Sequence, residues 1–272
     1  MAHKILLVGS TGYLGQALML QLQPAGQVIP THRSRALFKG SWRYDFWTDI
    51  LSDFIQQERV DTVVIAASMA GSAVEFTVFQ QCVQQLMLAI KHCRVIYISS
   101  DGIFSGRKGN YTEEDIPDPI TSYGRNLHYF EQIVQQRCAN YCIIRPSYLY
   151  GYSQGKLDSR LSGARESLLA GKHLTYFSDM LKSPMEVNQV ARAIVVLTLS
   201  NYIGIVHVAG PAVSIYDFYR EAMKQLGISC QHLHAELMPA DFPHPRDTSL
   251  NTSLLQTLTG IEPLSIRDAL HM

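Results

Sequence analysis

An apolar run, Ile5-Leu6-Leu7-Val8, stops at Gly9 near the start of the chain. Similar short runs recur, and together they predict five strands: Lys4–Val8, Gln27–Thr31, Thr62–Ala66, Val95–Ser99 and Tyr141–Arg145. Between them the apolar positions switch to a period near 3.6, which predicts helices over Gly12–Gln23, Asp49–Gln57, Val74–His92 and Ser122–Cys138. In the third helix Val83, Leu86, Met87 and Ile90 mark a core face, and Gln80, Gln81, Gln84 and Gln85 mark a wet one. The runs Val63-Val64-Ile65-Ala66 and Val95-Ile96-Tyr97-Ile98 are apolar on both faces, as central strands of a sheet covered on both sides must be. Alternating strands and helices therefore predict an α/β fold built on a doubly wound parallel sheet of Rossmann type.

After Gly151 the rhythm loosens, and Gly151-Tyr152-Ser153-Gln154-Gly155 has the composition of a hinge. A helix is expected around Ser159–Ala170, and another carries Val187, Val190, Ala191, Ile194 and Val195 on one face. Pro239, Pro243, Pro245 and Gly260 break the remainder into short pieces. The expected division is a nucleotide-binding domain over residues 1–151 and a smaller α+β substrate lobe over 152–272, with residues 186–210 packing back onto the first domain.

Composition narrows the classes. With 272 residues, 47% hydrophobic and 17% charged, the chain can bury a sizeable core and is not disordered. Its 23 Lys+Arg balance 23 Asp+Glu, so no electrostatic footprint for nucleic acid or an anionic membrane is expected. No apolar run is long enough to span a bilayer, and Met1-Ala2-His3-Lys4 leads into a strand pattern rather than a secretory leader. Five cysteines without a C-x-x-C pair read as free thiols of a cytoplasmic protein. His232 and His234 read as alternating strand polarity, and no metal site is expected.

The chemical signal lies in Gly9-Ser10-Thr11-Gly12-Tyr13-Leu14-Gly15, directly after the first strand and opening the first helix. A strand-to-helix glycine turn lets backbone approach a pyrophosphate, and the helix N-terminus supplies oriented N–H groups and positive dipole. Glycine also serves purely structural turns, but here strand, turn, amphipathic helix and second strand follow in the required order. Gly9, Thr11, Gly12, Tyr13, Leu14 and Gly15 are therefore the expected cofactor-binding residues. The second strand ends in Thr31-His32-Arg33-Ser34-Arg35, with no acid to hold ribose hydroxyls. A guanidinium suits a 2′-phosphate, so NADP(H) is expected over NAD, with Arg33 the preferred contact; the other reading of this segment is a solvated basic loop.

Further landmarks are Tyr44-Asp45-Phe46, Val64-Ile65-Ala66-Ala67-Ser68, Tyr97-Ile98-Ser99-Ser100-Asp101-Gly102-Ile103-Phe104-Ser105-Gly106 and Ser122-Tyr123-Gly124. Later come Ile144-Arg145-Pro146-Ser147, Ser183-Pro184-Met185-Glu186-Val187 and Pro245-Arg246-Asp247-Thr248-Ser249-Leu250. In these pieces and their order the chain resembles the extended short-chain dehydrogenase/reductases, most closely the dTDP-4-dehydrorhamnose reductase-like branch, over nearly its whole length. The resemblance implies hydride transfer between a nicotinamide and a carbonyl or alcohol carbon. It implies that Ser100 bonds the substrate carbonyl and Tyr123 donates a proton to the developing alkoxide. It further implies that Asp45 and Phe46 flank the adenine, that Ala66, Ala67 and Ser68 line ribose and pyrophosphate, and that Asp101 and Arg246 face the substrate, Arg246 toward an anionic group.

Three departures stand out. In the family's Y-x-x-x-K element Leu127 occupies the lysine position, removing the charge that holds the nicotinamide ribose and lowers the tyrosine pKa. Asn126 shares the helix face of Tyr123 and is the expected replacement for a ribose hydrogen bond. Gly102 follows Asp101 where relatives carry an aromatic residue, and Met69-Ala70-Gly71-Ser72 is unusual after the Ala66-Ala67 landmark. The expected activity is reduction of a keto group, with a 4-keto nucleotide sugar as one candidate substrate, by a protein whose partners are small molecules and, if it associates, a second copy of itself. The competing readings are a non-catalytic NADP-binding partner protein like the regulatory subunit of methionine adenosyltransferase, and an epimerase or dehydratase of the same family.

Overall fold

A computed structural model of the chain describes residues 3–71 and 74–271. Seven strands form one sheet: β1 (His3–Val8), β2 (Gly26–His32), β3 (Trp42–Arg43), β4 (Thr62–Ile65), β5 (Arg94–Ile98), β6 (Tyr141–Pro146) and β7 (Gly204–Val208). Their order is β7-β6-β5-β4-β1-β2-β3 and every pairing is parallel. The order reverses between β1 and β4, the place where an open parallel sheet leaves a crevice at its carboxyl edge.

Alternation along each strand divides the core. Leu6, Val8, Val63, Ile65, Val95, Tyr97 and Ile143 point to one face, where they meet α2 (Ser52–Glu58), α3 (Phe76–Ile90) and α4 (Ser122–Arg137). Ile5, Leu7, Val64, Ile96, Cys142, Ile144, Val206 and Val208 point to the other. There they meet α1 (Tyr13–Leu22) and two later helices, residues 187–199 and 253–259. The core face expected for α3 is the one buried: Val83, Leu86, Met87 and Ile90 are all at 3% exposure or less.

Two helix starts fall two or more residues later than the periodicity places them. The second helix begins at Ser52 rather than Asp49, because the Asp49 carboxylate accepts the backbone N–H of Asp45 at 2.8 Å and the Thr48 hydroxyl at 2.9 Å, which favours a turn. The third begins at Phe76 rather than Val74.

A separate small core holds the second half together: Tyr150, Leu161, Leu168, Phe218, Tyr219, Met223, Leu233 and Leu270. Around it lie α5 (Ser159–Leu169), α7 (Ile215–Gln225) and short strand pairs, Leu174–Phe177 with Leu233–Glu236 and Leu181–Lys182 with Val213–Ser214. Between these pieces α6 (Val187–Leu199) lies against α1, and β7 extends the main sheet beside β6. The five cysteines are free thiols. Among the described residues no helix is long and apolar enough to cross a membrane, and no cluster of three or more His, Cys, Asp or Glu is arranged to hold a metal ion.

Candidate active site

A cleft of about 900 Å³ runs along the carboxyl edge of the sheet, from the end of β2 to Ser147, Arg160 and Lys182. Its floor is the glycine turn. Gly9 has φ of +93°, and a Cβ there would lie 2.6 Å from the Ala67 amide nitrogen, so the approach of β1 to the chain after β4 requires glycine. Gly15, in the first turn of α1, sits so close beneath that its Cβ would fall 2.0 Å from the Gly9 carbonyl oxygen. The turn is tied to β2 by the Gly9 N–H donating to Thr31 Oγ1 (3.1 Å) and the Ser10 hydroxyl donating to the Thr31 carbonyl (2.6 Å). Gly12 caps the N-terminus of α1, and Thr11, Gly12, Tyr13 and Leu14 open onto the cleft with Ala66, Ala67 and Ser68 opposite.

At the outer end stand Arg33, Tyr44, Asp45, Phe46 and Trp47. The Arg33 side chain is 67% exposed, and its Nε lies 3.1 Å from Asp45 Oδ2, which fixes the guanidinium at the rim. A glycine turn whose close backbone approach admits no Cβ at Gly9 or Gly15, a helix N-terminus without a side-chain cap and a rim guanidinium are the parts a dinucleotide with a 2′-phosphate needs, and the residues present fit one.

The inner end is built by β5 and α4. Beyond β5, Ser100 caps a single turn of 3₁₀-helix over residues 101–103, its Oγ accepting the Gly102 N–H at 3.2 Å. Thr121 caps α4 by accepting the Gly124 N–H at 3.0 Å. A Cβ on Gly124 would lie 2.1 Å from the Gly102 carbonyl oxygen, so glycine lets α4 start directly on the 3₁₀ turn. That contact brings Tyr123 next to Ser100 at the inner end of the cleft. The Tyr123 ring occupies the space above Gly102, where a Cβ would meet Cε1 at 3.1 Å. The missing side chain thus makes room for the tyrosine rather than opening the pocket wall. Burial raises the pKa of Tyr123; the neighbouring Ser100 hydroxyl opposes the rise and the nearby Asp101 carboxylate adds to it. Leu127 is buried one turn along α4 and faces an adjoining cavity of about 190 Å³ with Leu14, Tyr97 and Phe130, so no cation stands beneath the tyrosine there.

Two expected contacts lie elsewhere. The Asn126 side chain turns away from the cleft and donates to the Ala70 carbonyl at 2.9 Å, anchoring the loop after β4 instead of facing a ribose. The Arg246 guanidinium is engaged by Asp179 (3.1 Å) and the Met238 carbonyl (2.9 Å) and does not line the cleft, so it is not offered to an anionic substrate group. Both were placed by helix face or motif position, and neither signal reveals which neighbour the fold supplies. Of the Met69–Ser72 segment, Met69 and Gly71 line the cleft, whereas Ser72 lies outside the described residues.

Sequence reading alone did not single out Lys182. Carried on the short strand Leu181–Lys182, it reaches into the cleft and places Nζ 2.9 Å from Asp101 Oδ2 and 2.7 Å from Thr248 Oγ1. The same carboxylate oxygen accepts from Ser147 (3.0 Å) and Thr248 (2.5 Å), and Oδ1 accepts the Ser100 hydroxyl at 2.9 Å. Burial alone would push the Asp101 carboxyl up, but the Lys182 ammonium and these hydrogen bonds outweigh it and hold the group below the ordinary carboxylate range. Asp101 is therefore an anion acting as an acceptor. Tyr148, Leu149 and Arg160 complete this wall, the Arg160 guanidinium stacked 3.6 Å over the Tyr148 ring. A lone lysine between Leu181 and the Ser183-Pro184 landmark was the available clue, but its partners are far away in sequence.

Over residues 3–272 the chain matches the family model described as RmlD substrate binding domain. It belongs to that family. Within the curated proteins it is 26% identical to the spore coat polysaccharide biosynthesis protein SpsK of Bacillus subtilis, over 98% of this chain and 95% of that one. It is also 26% identical to the dTDP-4-dehydrorhamnose reductase of Aggregatibacter actinomycetemcomitans, over 98% and 97% of the two chains. Among solved structures it superposes on a hypothetical dTDP-4-dehydrorhamnose reductase from Sulfolobus tokodaii with a TM-score of 0.84 and 26% identity, covering 98% of this chain and 99% of that one. Membership of the RmlD family agrees with the branch expected from the motifs.

Proposed function

We propose that the chain is an NADPH-dependent reductase acting on a keto carbon, with a 4-keto nucleotide sugar or a related intermediate as its substrate class. The observation that carries this reading is the meeting of the Ser100 and Tyr123 hydroxyls at one end of a cleft whose floor is a glycine turn. Relatives named dTDP-4-dehydrorhamnose reductase support the substrate class. NADPH, when bound, supplies the hydride. Gly9, Gly12 and the first amides of α1 would hold its diphosphate, and Arg33 its 2′-phosphate.

The Ser100 hydroxyl donates to the substrate carbonyl oxygen and fixes its position. As negative charge develops on that oxygen, the Tyr123 phenol gives up its proton to it. A tyrosine pKa raised by burial keeps the phenol protonated at neutral pH, the form that reduction requires. The wall of Ser147, Tyr148, Leu149 and Arg160 would take the rest of the substrate.

The test is consumption of NADPH absorbance with a panel of keto sugars. The native protein should turn over at least one, and Tyr123→Phe should lose about a hundredfold or more in kcat while binding NADPH as before. Equal rates in the two proteins would remove Tyr123 from the mechanism. Leu127 favours a second reading, a non-catalytic NADP-binding partner protein; that reading expects NADPH binding without turnover of any keto sugar.

A further inference from the structure

We infer that Lys182 is the positioning cation of this site, acting on Tyr123 through Asp101 and Ser100 in place of the lysine absent at position 127. The inference rests on the reductase reading above. Its ground is a chain of neighbours: Lys182 to Asp101 at 2.9 Å, Asp101 to Ser100 at 2.9 Å, and Ser100 next to Tyr123, both against Gly102 at the inner end of the cleft. The groups around this chain are Tyr97 beneath the tyrosine, Ser147 and Thr248 on Asp101, and Arg160 across the cleft wall.

Asp101 is almost fully buried beside the two hydroxyls that would do the chemistry. Alone, its negative charge would oppose the reaction twice. It would resist the charge that builds on Tyr123 as the phenol releases its proton, and it would keep the Ser100 proton for itself rather than yield it to the substrate oxygen. Lys182, with only 16% of its side chain exposed, cancels that charge where solvent screens it little. Three donors, Lys182, Ser147 and Thr248, share Oδ2, which leaves Oδ1 to orient Ser100. The cation thus comes from the Leu181–Lys182 strand rather than from the helix that carries Tyr123.

The test titrates Tyr123 directly in full-length protein labelled with ¹³Cζ-tyrosine, the signal being assigned by its loss in Tyr123→Phe. In Lys182→Met the Tyr123 signal should titrate at higher pH than in the native protein, and kcat for keto reduction should fall about tenfold or more. Lys182→Arg keeps the charge and should titrate like the native protein. Asp101→Asn combined with Lys182→Met removes both charges and should bring the titration back down toward native, which a purely structural role for Lys182 would not do. A Tyr123 titration unchanged in Lys182→Met, in a protein whose melting curve shows it folded, overturns the inference; if that variant does not fold, a Tyr123 signal in Lys182→Arg displaced upward from native does the same. The titration needs no turnover. Native protein that reduces no keto sugar yet shows these shifts refutes the reductase reading alone, and active native protein without them refutes the role of Lys182 alone.

Discussion

Gly15→Ala and Gly12→Ala each add one methyl group to the same turn, and the structure separates their effects on stability. At Gly15 the new Cβ would sit 2.0 Å from the Gly9 carbonyl oxygen and 2.9 Å from the Ser10 Cα, both backbone atoms that cannot rotate aside. The start of α1 must retreat by more than an ångström, taking the cleft-facing amides with it. A misplacement of that size costs about a hundredfold, or about 3 kcal/mol, in an interaction that depends on orientation. The strain also falls on the turn itself, so the melting temperature should drop together with NADPH affinity. At Gly12 the nearest atom, the Gly9 carbonyl oxygen, is 3.4 Å away and φ is −71°, so alanine fits the protein and its methyl group enters the cleft. Gly12→Ala should melt within a few degrees of native, a change of about 1 kcal/mol or less at an N-cap, yet bind NADPH tenfold or more weakly. Isothermal titration calorimetry and a thermal melt on each variant read both quantities, and NADH titrated in parallel tests the preference assigned to Arg33. If Gly12→Ala bound NADPH as the native protein does, the diphosphate would not lie against the turn and the cofactor reading would fail.

Two shorter predictions follow. Leu127→Lys sets a cation one helical turn from Tyr123, about 6 Å away, where at an effective dielectric near 20 it is worth about 3 kcal/mol at most. In a reductase it should therefore raise kcat by tenfold or more, whereas unchanged turnover would show that the site does not depend on charge at position 127. His207, fully buried beside Arg145, is pushed down to about 4, by burial first and then by the guanidinium. Because the unfolded chain takes up that proton near pH 6.5, stability should fall as pH drops from about 6.5 toward 4, by about 3 kcal/mol at the lower end. Denaturant melts across that range check it, and a stability flat between pH 6.5 and 4.5 would contradict it.

The glycine turn was legible because its requirement is local: Gly9, Gly12 and Gly15 follow an apolar strand and open a helix, and close backbone approach admits no side chain. The core faces of the strands and of α3 were legible for the same reason, since periods of 2 and 3.6 are set by backbone geometry. Ser100 and Tyr123 were found by motif, but their meeting depends on Gly102 and Gly124, whose bare backbones let α4 start on the 3₁₀ turn. Asn126 and Arg246 show the opposite case. Their chemistry suited a ligand, yet Ala70, Asp179 and Met238, brought near by the fold, satisfy them first.

By itself, then, the sequence determined the alternating layers, the nucleotide-side turn and the loss of a cation at Leu127, all properties of neighbouring residues or of one helix face. Only the tertiary structure decided where positive charge enters the site. Asp101 and Lys182 are separated by 81 residues along the chain, and a buried carboxylate takes whichever cation the packing of distant segments delivers to it.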